Sequence, residues 1–146
     1  RLDANRLRIE VTEGVLIDDN TASRNTLAAL RAAGVAIVLD HFGTGACSLA
    51  HLTRHAVDTL KVDRSFVRQL GTGVQANAIV EAITHLARAA DLPVAAEGVE
   101  TEEQRFIAAA MGCNEMQGRL LSTPLAEQEL SALLAADEPA ARQVAN

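Results

Sequence analysis

The chain has 146 residues, of which 49% are hydrophobic, 13 are basic and 19 are acidic, for a formal net charge of -6. The negative charge, the lack of Trp and Tyr, and a total of three Phe argue against sequence-general nucleic-acid binding, which needs a basic stripe or a stacking platform. A chain of this length and apolar content can bury one core, so we expect a single globular domain.

No feature of the sequence predicts a membrane span or an oxidising compartment. No apolar run approaches the roughly 20 residues of a transmembrane helix, and the first residues lack the basic-then-apolar pattern of a signal peptide. Cys47 and Cys113 lie far apart, without the Cys or His cluster that would indicate a zinc site or a disulfide framework. We therefore expect reduced, buried thiols and a cytoplasmic location, which leaves any membrane anchor of a parent protein to upstream segments.

Short apolar runs alternate with longer segments of helical period, which is the pattern of βα units around a parallel sheet. The first predicted strand, 7–13, precedes a helix over 23–33, and the second, 35–40, precedes a glycine loop and a short helix near 47–55. A third strand, 58–63, leads to a helix over 76–90, and a fourth strand within 93–100 leads to a helix that begins near 101. The fifth strand, 114–117, precedes a helix over 126–135.

Local signals mark the ends of two of these helices. Gly34 can terminate the first helix as a left-handed cap. Thr101 and Gln104 have the spacing of a capping box, in which each side chain satisfies a backbone amide of the other residue. Gly112 then ends the helix that this box begins.

Polar side chains recur at the C-terminal end of every predicted strand. They are Glu10, Thr12 and Glu13, then Asp40 and His41, then Lys61 and Asp63, then Glu97 and Glu100, and finally Gln117. In a parallel α/β sheet these ends lie on one face, where barrel enzymes assemble their active sites. One charged strand end is more often a solvated cap, but polar residues at all five ends favour a common site.

Clustered carboxylates repel one another unless a cation lies among them or their pKa values rise. Mg²⁺ and Mn²⁺ take oxygen ligands, and a pair of such ions can activate water and stabilise the leaving oxygen of a phosphodiester. Lys61 would then neutralise phosphate charge or position the attacking water. The pattern therefore favours a divalent-metal site, with phosphodiester hydrolysis as one reaction that such a site can perform.

Six segments carry a more specific signal: IEVTE, LDHFGTG, LKVDRSFV, AAEGVETEEQ, GC followed by MQG, and STPL. In order and spacing they resemble the C-terminal part of the EAL domain family, whose members include phosphodiesterases that hydrolyse cyclic di-GMP to linear pGpG in bacterial second-messenger signalling. The resemblance covers nearly the whole chain. It implies a modified (β/α)8 TIM-type barrel, of which this chain supplies about five consecutive βα units with a parallel sheet.

The resemblance also implies metal ligands and catalytic residues. Glu10 and Asp40 are implied as ligands of Mg²⁺ or Mn²⁺, with Asp40 shared by two ions. Glu97 is implied as the catalytic glutamate, acting as general base or as a ligand of the second metal. Lys61 is implied beside the attacking water, and Glu13 is implied to hold the following glycine loop in place.

The remaining strand-end residues are implied as contacts of cyclic di-GMP. They are Asp63, Glu100 and Gln117. Simpler interpretations stay open for several positions, since Glu10 could be a sheet-edge charge, Lys61 a partner of Asp63, and Gln117 a strand cap.

The chain departs from the family pattern at the end of the second strand. The family has Asp-Asp-Phe-Gly there, with both aspartates serving the metal site, whereas this chain has His41 in the second place. Imidazole suits Mn²⁺ or Zn²⁺ better than Mg²⁺, so His41 is either a ligand or a substitution that weakens the second metal position, and we expect the latter. Ala46 replaces an aromatic residue in a loop that the resemblance associates with a homodimer, and Arg119 and Leu121 replace further aromatics.

The Glu-Ala-Leu motif that names the family belongs upstream of Arg1, which favours a fragment. We expect 1–136 to be the C-terminal portion of one EAL domain and 137–146 a polar tail. The chain alone is expected to be inactive, because ligands are missing and its outer strands would be open edges. The alternative favoured by His41 is a degenerate EAL module that binds cyclic di-GMP or a protein partner without turnover.

Three further features receive a structural interpretation. His51 and His55 are expected to be a surface pair, since no third ligand is near them in the sequence. Cys47 is expected to be a packing substitution, because no feature provides an activating base. A nucleotide-binding doubly wound fold that uses the GTG loop would leave the other four strand ends unexplained.

Overall fold

The computed structural model describes residues 3–17, 20–44, 57–133 and 135. It contains five strands: β1 (Arg8–Thr12), β2 (Ala36–Phe42), β3 (Thr59–Val62), β4 (Val94–Glu97) and β5 (Glu115–Gln117). The helices are α1 (Glu13–Ile17), α2 (Thr21–Ala32), α3 (Arg64–Val67), α4 (Val74–Ala89) and α5 (Glu102–Ala110), and residues 127–133 are also helical. A short 3₁₀ turn, Ala4–Arg6, precedes β1.

All five strands pair in parallel and in sequence order, β1-β2-β3-β4-β5. Sequential parallel order with intervening helices is the arrangement of a (β/α) barrel and not of a doubly wound sheet. The five strands are thus a consecutive part of such a barrel, and the prediction of five βα units is confirmed. The predicted helix 47–55, with Cys47, His51 and His55, lies outside the described residues.

The sheet curls so that its two outer strands meet through their side chains. The two terminal nitrogens of the Arg8 guanidinium on β1 donate to the carboxylate of Glu115 on β5, and the bond from Nη2 to Oε1 is 3.0 Å long. In a flat sheet four steps of about 4.8 Å would separate these strands by about 19 Å, which is too far for one ion pair. The ion pair therefore records the barrel-like curvature.

The hydrophobic core lies between the sheet and its helices, around β3. All four residues of β3 are buried, and α4 packs against the core with Val80, Ile83 and Ala87. Each Val or Leu side chain buried in this way contributes about 1.5–3 kcal/mol. Cys113 belongs to the same core as a buried free thiol, as predicted, and burial raises its pKa to about 11.

The predicted caps are present. The Thr101 hydroxyl accepts from the Gln104 amide at 3.1 Å, and the Gln104 side chain accepts from the Thr101 amide at 3.1 Å, which completes the capping box of α5. Gly34 and Gly112 have φ values of 93° and 99°, the left-handed conformation expected at helix ends. No helix within the described part of the chain is long and apolar enough to cross a membrane.

Most predicted boundaries differ from the observed ones by one or two residues. Strand β1 stops at Thr12 because Glu13 begins α1, and β2 runs to Phe42, two residues beyond Asp40. Helices α1 and α3 were not predicted, because segments of five and four residues are too short to show a helical period. Asp63, which we assigned to the third strand, is instead the N-cap of α3, with its carboxylate accepting from the Ser65 amide at 2.7 Å.

Candidate active site

A β-bulge shapes the end of β2. Leu39 pairs with Leu60 and Phe42 pairs with Val62, so β2 has one more residue than β3 between these pairs. His41 occupies the bulge with a φ of 57°, a left-handed conformation in which His is enriched among non-glycine residues. Because a bulge re-aims side chains that would otherwise alternate, Asp40 and His41 both reach the same edge of the sheet.

Lys61 lies at the centre of this edge on the buried strand β3. Its side chain is 6% exposed, and its Nζ donates to Glu10 Oε1 at 2.7 Å and lies 3.8 Å from Asp40 Oδ1. Burial lowers the pKa of the ammonium, but the hydrogen bond to Glu10 and the charges of Asp40, Glu10 and Glu97 outweigh this and raise it. Lys61 thus remains protonated and links strands β1, β2 and β3.

The His41 imidazole lies between two carboxylates. Its Nδ1 is 2.5 Å from Asp63 Oδ2 and its Nε2 is 3.1 Å from Asp40 Oδ2. The hydrogen bond with Asp63 raises the pKa of His41, with further contributions from the negative charges around the ring that outweigh desolvation. Burial raises the pKa of Asp63, but hydrogen bonds from Ser65 and His41 outweigh it and lower that pKa to about 2.

Glu97 ends β4 with a buried oxygen that lacks a partner. Its Oε2 has no hydrogen bond to any described residue, although a buried carboxylate oxygen is normally satisfied. Asp40, His41 and Glu97 each offer one ligand atom, and these atoms lie within 4.8 Å of one another. The orphaned oxygen and this donor set fit a divalent cation, which would supply the missing partner.

Glu13 supports the loop that follows this cluster. Its side chain is buried at 7% exposure, and its Oε1 accepts from the Gly43 amide at 3.1 Å. Gly43 has a φ of 94°, and a Cβ there would lie 2.9 Å from Ile83 Cδ1. Glu13 therefore contacts the glycine loop to which the resemblance assigned it. The positive φ of Gly43 explains the glycine, since Ile83 Cδ1 is the end of a flexible side chain that can move away.

Glu100 and Gln117 lie beside the cluster and not within it. A cavity of about 150 Å³ is lined by Arg64, Arg68, Glu97, Gly98, Glu100, Gln117, Gly118 and Arg119. Arg68 Nη2 lies 3.6 Å from Glu100 Oε1. A larger cavity of about 420 Å³ lies at the opposite ends of β4 and β5, around Pro93 and Asn114, but it is remote from the carboxylate cluster and therefore a poorer candidate for this chemistry.

Six of the predicted site residues meet at this edge. Asp40, His41 and Glu97 form the possible cation site. Glu10 is held by Lys61. Asp63 contacts His41, which does not support the simpler interpretation that Lys61 pairs with Asp63. The links from Asp63 to His41 and from Glu10 to Lys61 had no signal in the sequence beyond their shared position at strand ends.

The fold and the site together define a class of protein, which is a partial (β/α) barrel with a carboxylate-rich edge at its strand ends. Residues 1–124 match the EAL domain family, and the chain belongs to that family. The family is divalent-metal dependent, and the members that are similar to this chain include cyclic di-GMP phosphodiesterases.

Several relatives document the similarity. MucR of Pseudomonas aeruginosa, a bifunctional diguanylate cyclase/cyclic di-GMP phosphodiesterase, is 42% identical over 134 residues, which are 92% of this chain and 20% of MucR. The structure of the PaMucR phosphodiesterase with c-di-GMP has a TM-score of 0.82 and 43% identity, covering 88% of this chain and 52% of that one. A manganese/cyclic di-GMP complex of Klebsiella pneumoniae BlrP1 has a TM-score of 0.76 and 36% identity, over 84% of this chain and 31% of that one. The chain thus spans about a fifth of the length of curated relatives such as MucR.

Proposed function

We propose that this chain is the C-terminal portion of a phosphodiesterase domain that uses Mg²⁺ or Mn²⁺ to hydrolyse cyclic di-GMP to linear pGpG in the bacterial cytoplasm. One observation carries the proposal: Asp40 from β2 and Glu97 from β4 converge, and the buried Oε2 of Glu97 lacks a partner that a cation would provide. The MucR and BlrP1 complexes with cyclic di-GMP support the choice of substrate.

Asp40 and Glu97 would hold the cation, with Glu10 joining them once it leaves Lys61. When bound, the ion supplies Lewis-acid polarisation of a phosphodiester oxygen and lowers the pKa of a water molecule. With Oε2 of Glu97 on the cation, the other oxygen of the Glu97 carboxylate would accept the proton of that water. Lys61, protonated and nearly buried, would stabilise the negative charge that develops on the phosphate.

Other residues hold these groups or contact the substrate. Glu13 fixes the loop at Gly43, and Asp63 fixes the His41 ring. Glu100 and Gln117 line the adjoining cavity with three arginines, whose guanidinium groups suit phosphate oxygens. This cavity is proposed to receive part of the dinucleotide.

The chain by itself is proposed to be inactive. Strands β1 and β5 are the outer strands of the described sheet, so backbone groups that a complete barrel would pair are left open. The segment 1–136 is proposed to be part of one EAL domain and 137–146 a polar tail. The loop after Asp40 is proposed as a homodimer contact, although most of it lies outside the described residues.

The second candidate is an EAL module that binds cyclic di-GMP without turnover. The observation that favours it is the position of the His41 imidazole, 2.5 Å from Asp63 and 3.1 Å from Asp40. There the ring replaces the second aspartate of the family pattern, so this edge has one carboxylate fewer with which to hold a second cation.

The test uses the parent protein with its upstream strands and measures binding and hydrolysis separately. Calorimetry gives the affinity for cyclic di-GMP, and chromatography follows pGpG formation with Mg²⁺ or Mn²⁺. We expect Glu97→Gln to lower turnover at least about 100-fold with little change in affinity. The control His85→Gln, on the exposed face of α4, should leave both unchanged.

Each outcome separates the candidates. Binding without hydrolysis that His41→Asp rescues supports the non-catalytic module. Hydrolysis in the unaltered parent rejects that module, and absence of both binding and hydrolysis rejects both candidates. Turnover by the purified 146-residue chain would contradict its proposed inactivity.

A further inference from the structure

The His41 ring is held with one nitrogen directed at the carboxylate cluster. Its Nδ1 lies 2.5 Å from Asp63 Oδ2, and Asp63 is itself fixed as the N-cap of α3 by the Ser65 amide at 2.7 Å. A carboxylate that accepts a hydrogen bond from Nδ1 keeps the proton on that nitrogen. The lone pair of Nε2 is then free for a metal ion, as in many carboxylate–histidine–metal sites. Asp63 is thus placed to select the tautomer that can bind a metal.

The spacing of the donor atoms suits a small divalent ion. His41 Nε2 and Asp40 Oδ2 are 3.1 Å apart, close to the separation of about 3.3 Å between two ligands that lie 2.0–2.1 Å from a tetrahedral ion. Glu97 completes the group within 4.8 Å, and its Oε2 has no other described partner. One nitrogen and two oxygen donors therefore lie within 4.8 Å of one another.

The backbone maintains this arrangement. The bulge holds His41 at a φ of 57°, the His41 amide donates to Asp40 Oδ1 at 3.0 Å, and the Thr44 hydroxyl donates to the His41 carbonyl at 2.8 Å. The ring orientation is thus set from both the main chain and Asp63. A ligand that is oriented before the ion arrives loses little conformational freedom on binding.

We propose that His41 is a nitrogen ligand, so that the cation position formed by Asp40, His41 and Glu97 takes a transition-metal ion of the Zn²⁺ class in preference to Mg²⁺. The proposal rests on the proposed function for the existence of a cation site and goes further in naming its occupant. Imidazole favours Zn²⁺, whereas Mg²⁺ prefers oxygen ligands in octahedral geometry. It also replaces our expectation that His41 merely weakens the metal position.

The test measures metal binding to the 146-residue chain without any nucleotide. Calorimetry after chelator treatment gives the affinities for Zn²⁺ and Mg²⁺, and nitrogen NMR of the histidine side chains distinguishes metal-bound, neutral and protonated rings. We expect one Zn²⁺ equivalent to shift Nε2 of His41 to the metal-bound position. In His41→Asn the affinity for Zn²⁺ should fall at least about 100-fold, while that for Mg²⁺ changes less than about threefold.

Variants separate ligation from general structural effects. Asp63→Asn retains all three proposed ligands, and it should lower the affinity for Zn²⁺ about 10-fold because the orientation of the His41 ring is lost. His85→Asn and His51→Asn should leave the affinity for Zn²⁺ unchanged. Asn tolerates the left-handed backbone of position 41, and His41→Gly, which accepts that backbone and offers no donor atom, serves if His41→Asn does not fold.

The proposal is overturned if Zn²⁺ binding survives both substitutions of His41, if it depends on His51 instead, or if saturating metal leaves the His41 ring protonated. Because cyclic di-GMP enters none of these measurements, the two proposals fail separately. A parent protein that binds Zn²⁺ but does not hydrolyse cyclic di-GMP would contradict the proposed function and leave the proposal for His41 intact.

Discussion

Substitution of Gly118 tests how the end of β5 packs against the segment after β4. A Cβ added at Gly118 would lie 2.1 Å from the carbonyl oxygen and 2.4 Å from the amide nitrogen of Val99. Both atoms belong to the backbone, so no rotation of a side chain can relieve the overlap. Val99 N donates to Gln117 O at 3.0 Å, and Leu120 N donates to Val99 O at 3.1 Å.

Gly118→Ala must therefore move two backbone segments apart. Loss of these two hydrogen bonds costs about 1 kcal/mol each, and partial exposure of the Val99 side chain, which is fully buried, adds about 1–2 kcal/mol. We expect the free energy of unfolding to fall by about 3–4 kcal/mol. Because Glu97 and Gln117 adjoin this contact, affinity for cyclic di-GMP in the parent should fall as well.

Urea denaturation followed by circular dichroism measures this effect. The matched control is Gly14→Ala in α1, where a Cβ would meet only the Thr12 hydroxyl at 3.9 Å. That variant should be unchanged or more stable by up to about 1 kcal/mol, because Ala favours a helix over Gly. A loss of less than about 1 kcal/mol in Gly118→Ala, or an equal loss in both variants, would refute the packing argument.

Two further predictions concern stability. The lowered pKa of Asp63 stabilises the metal-free fold above pH 3.8, and this contribution is lost as the pH falls towards about 2. The raised pKa of His41 stabilises the fold below pH 6.5 and is lost as the pH rises through the folded-state value. The free energy of unfolding, measured by urea denaturation with chelator at pH 3, 5 and 8, should thus be highest at pH 5, by about 1 kcal/mol once solvent screening is included. The substitution His41→Asn should remove the decline at pH 8. Thr101→Ala, which removes one half of the capping box, should cost about 1 kcal/mol, while Ser131→Ala on the exposed surface should cost nothing measurable.

Local patterns in the sequence predicted most of the fold. The alternation of apolar runs with helical segments predicted five parallel strands, and the Thr101 capping box and the glycines at 34 and 112 marked helix ends that the structure confirms. Strand ends also predicted the common edge, because parallel strands bring their carboxyl ends to one face. These features depend on residues within a few positions of one another.

Contacts between distant segments decided the rest. The bulge that directs both Asp40 and His41 to the site appears only when β2 is paired with β3. The link from Asp63 to His41 joins residues 22 apart in sequence, and that from Lys61 to Glu10 joins residues 51 apart. No local propensity reports such pairings.

The sequence by itself determined which side chains this protein brings to the ends of its strands, because strand direction and side-chain chemistry are local properties. Only the tertiary structure decided which of them touch, since register, curvature and the bulge arise from packing across the whole sheet. His41 shows the difference most clearly. In the sequence it is a departure from the family pattern, whereas in the fold it is a ring held between Asp40 and Asp63.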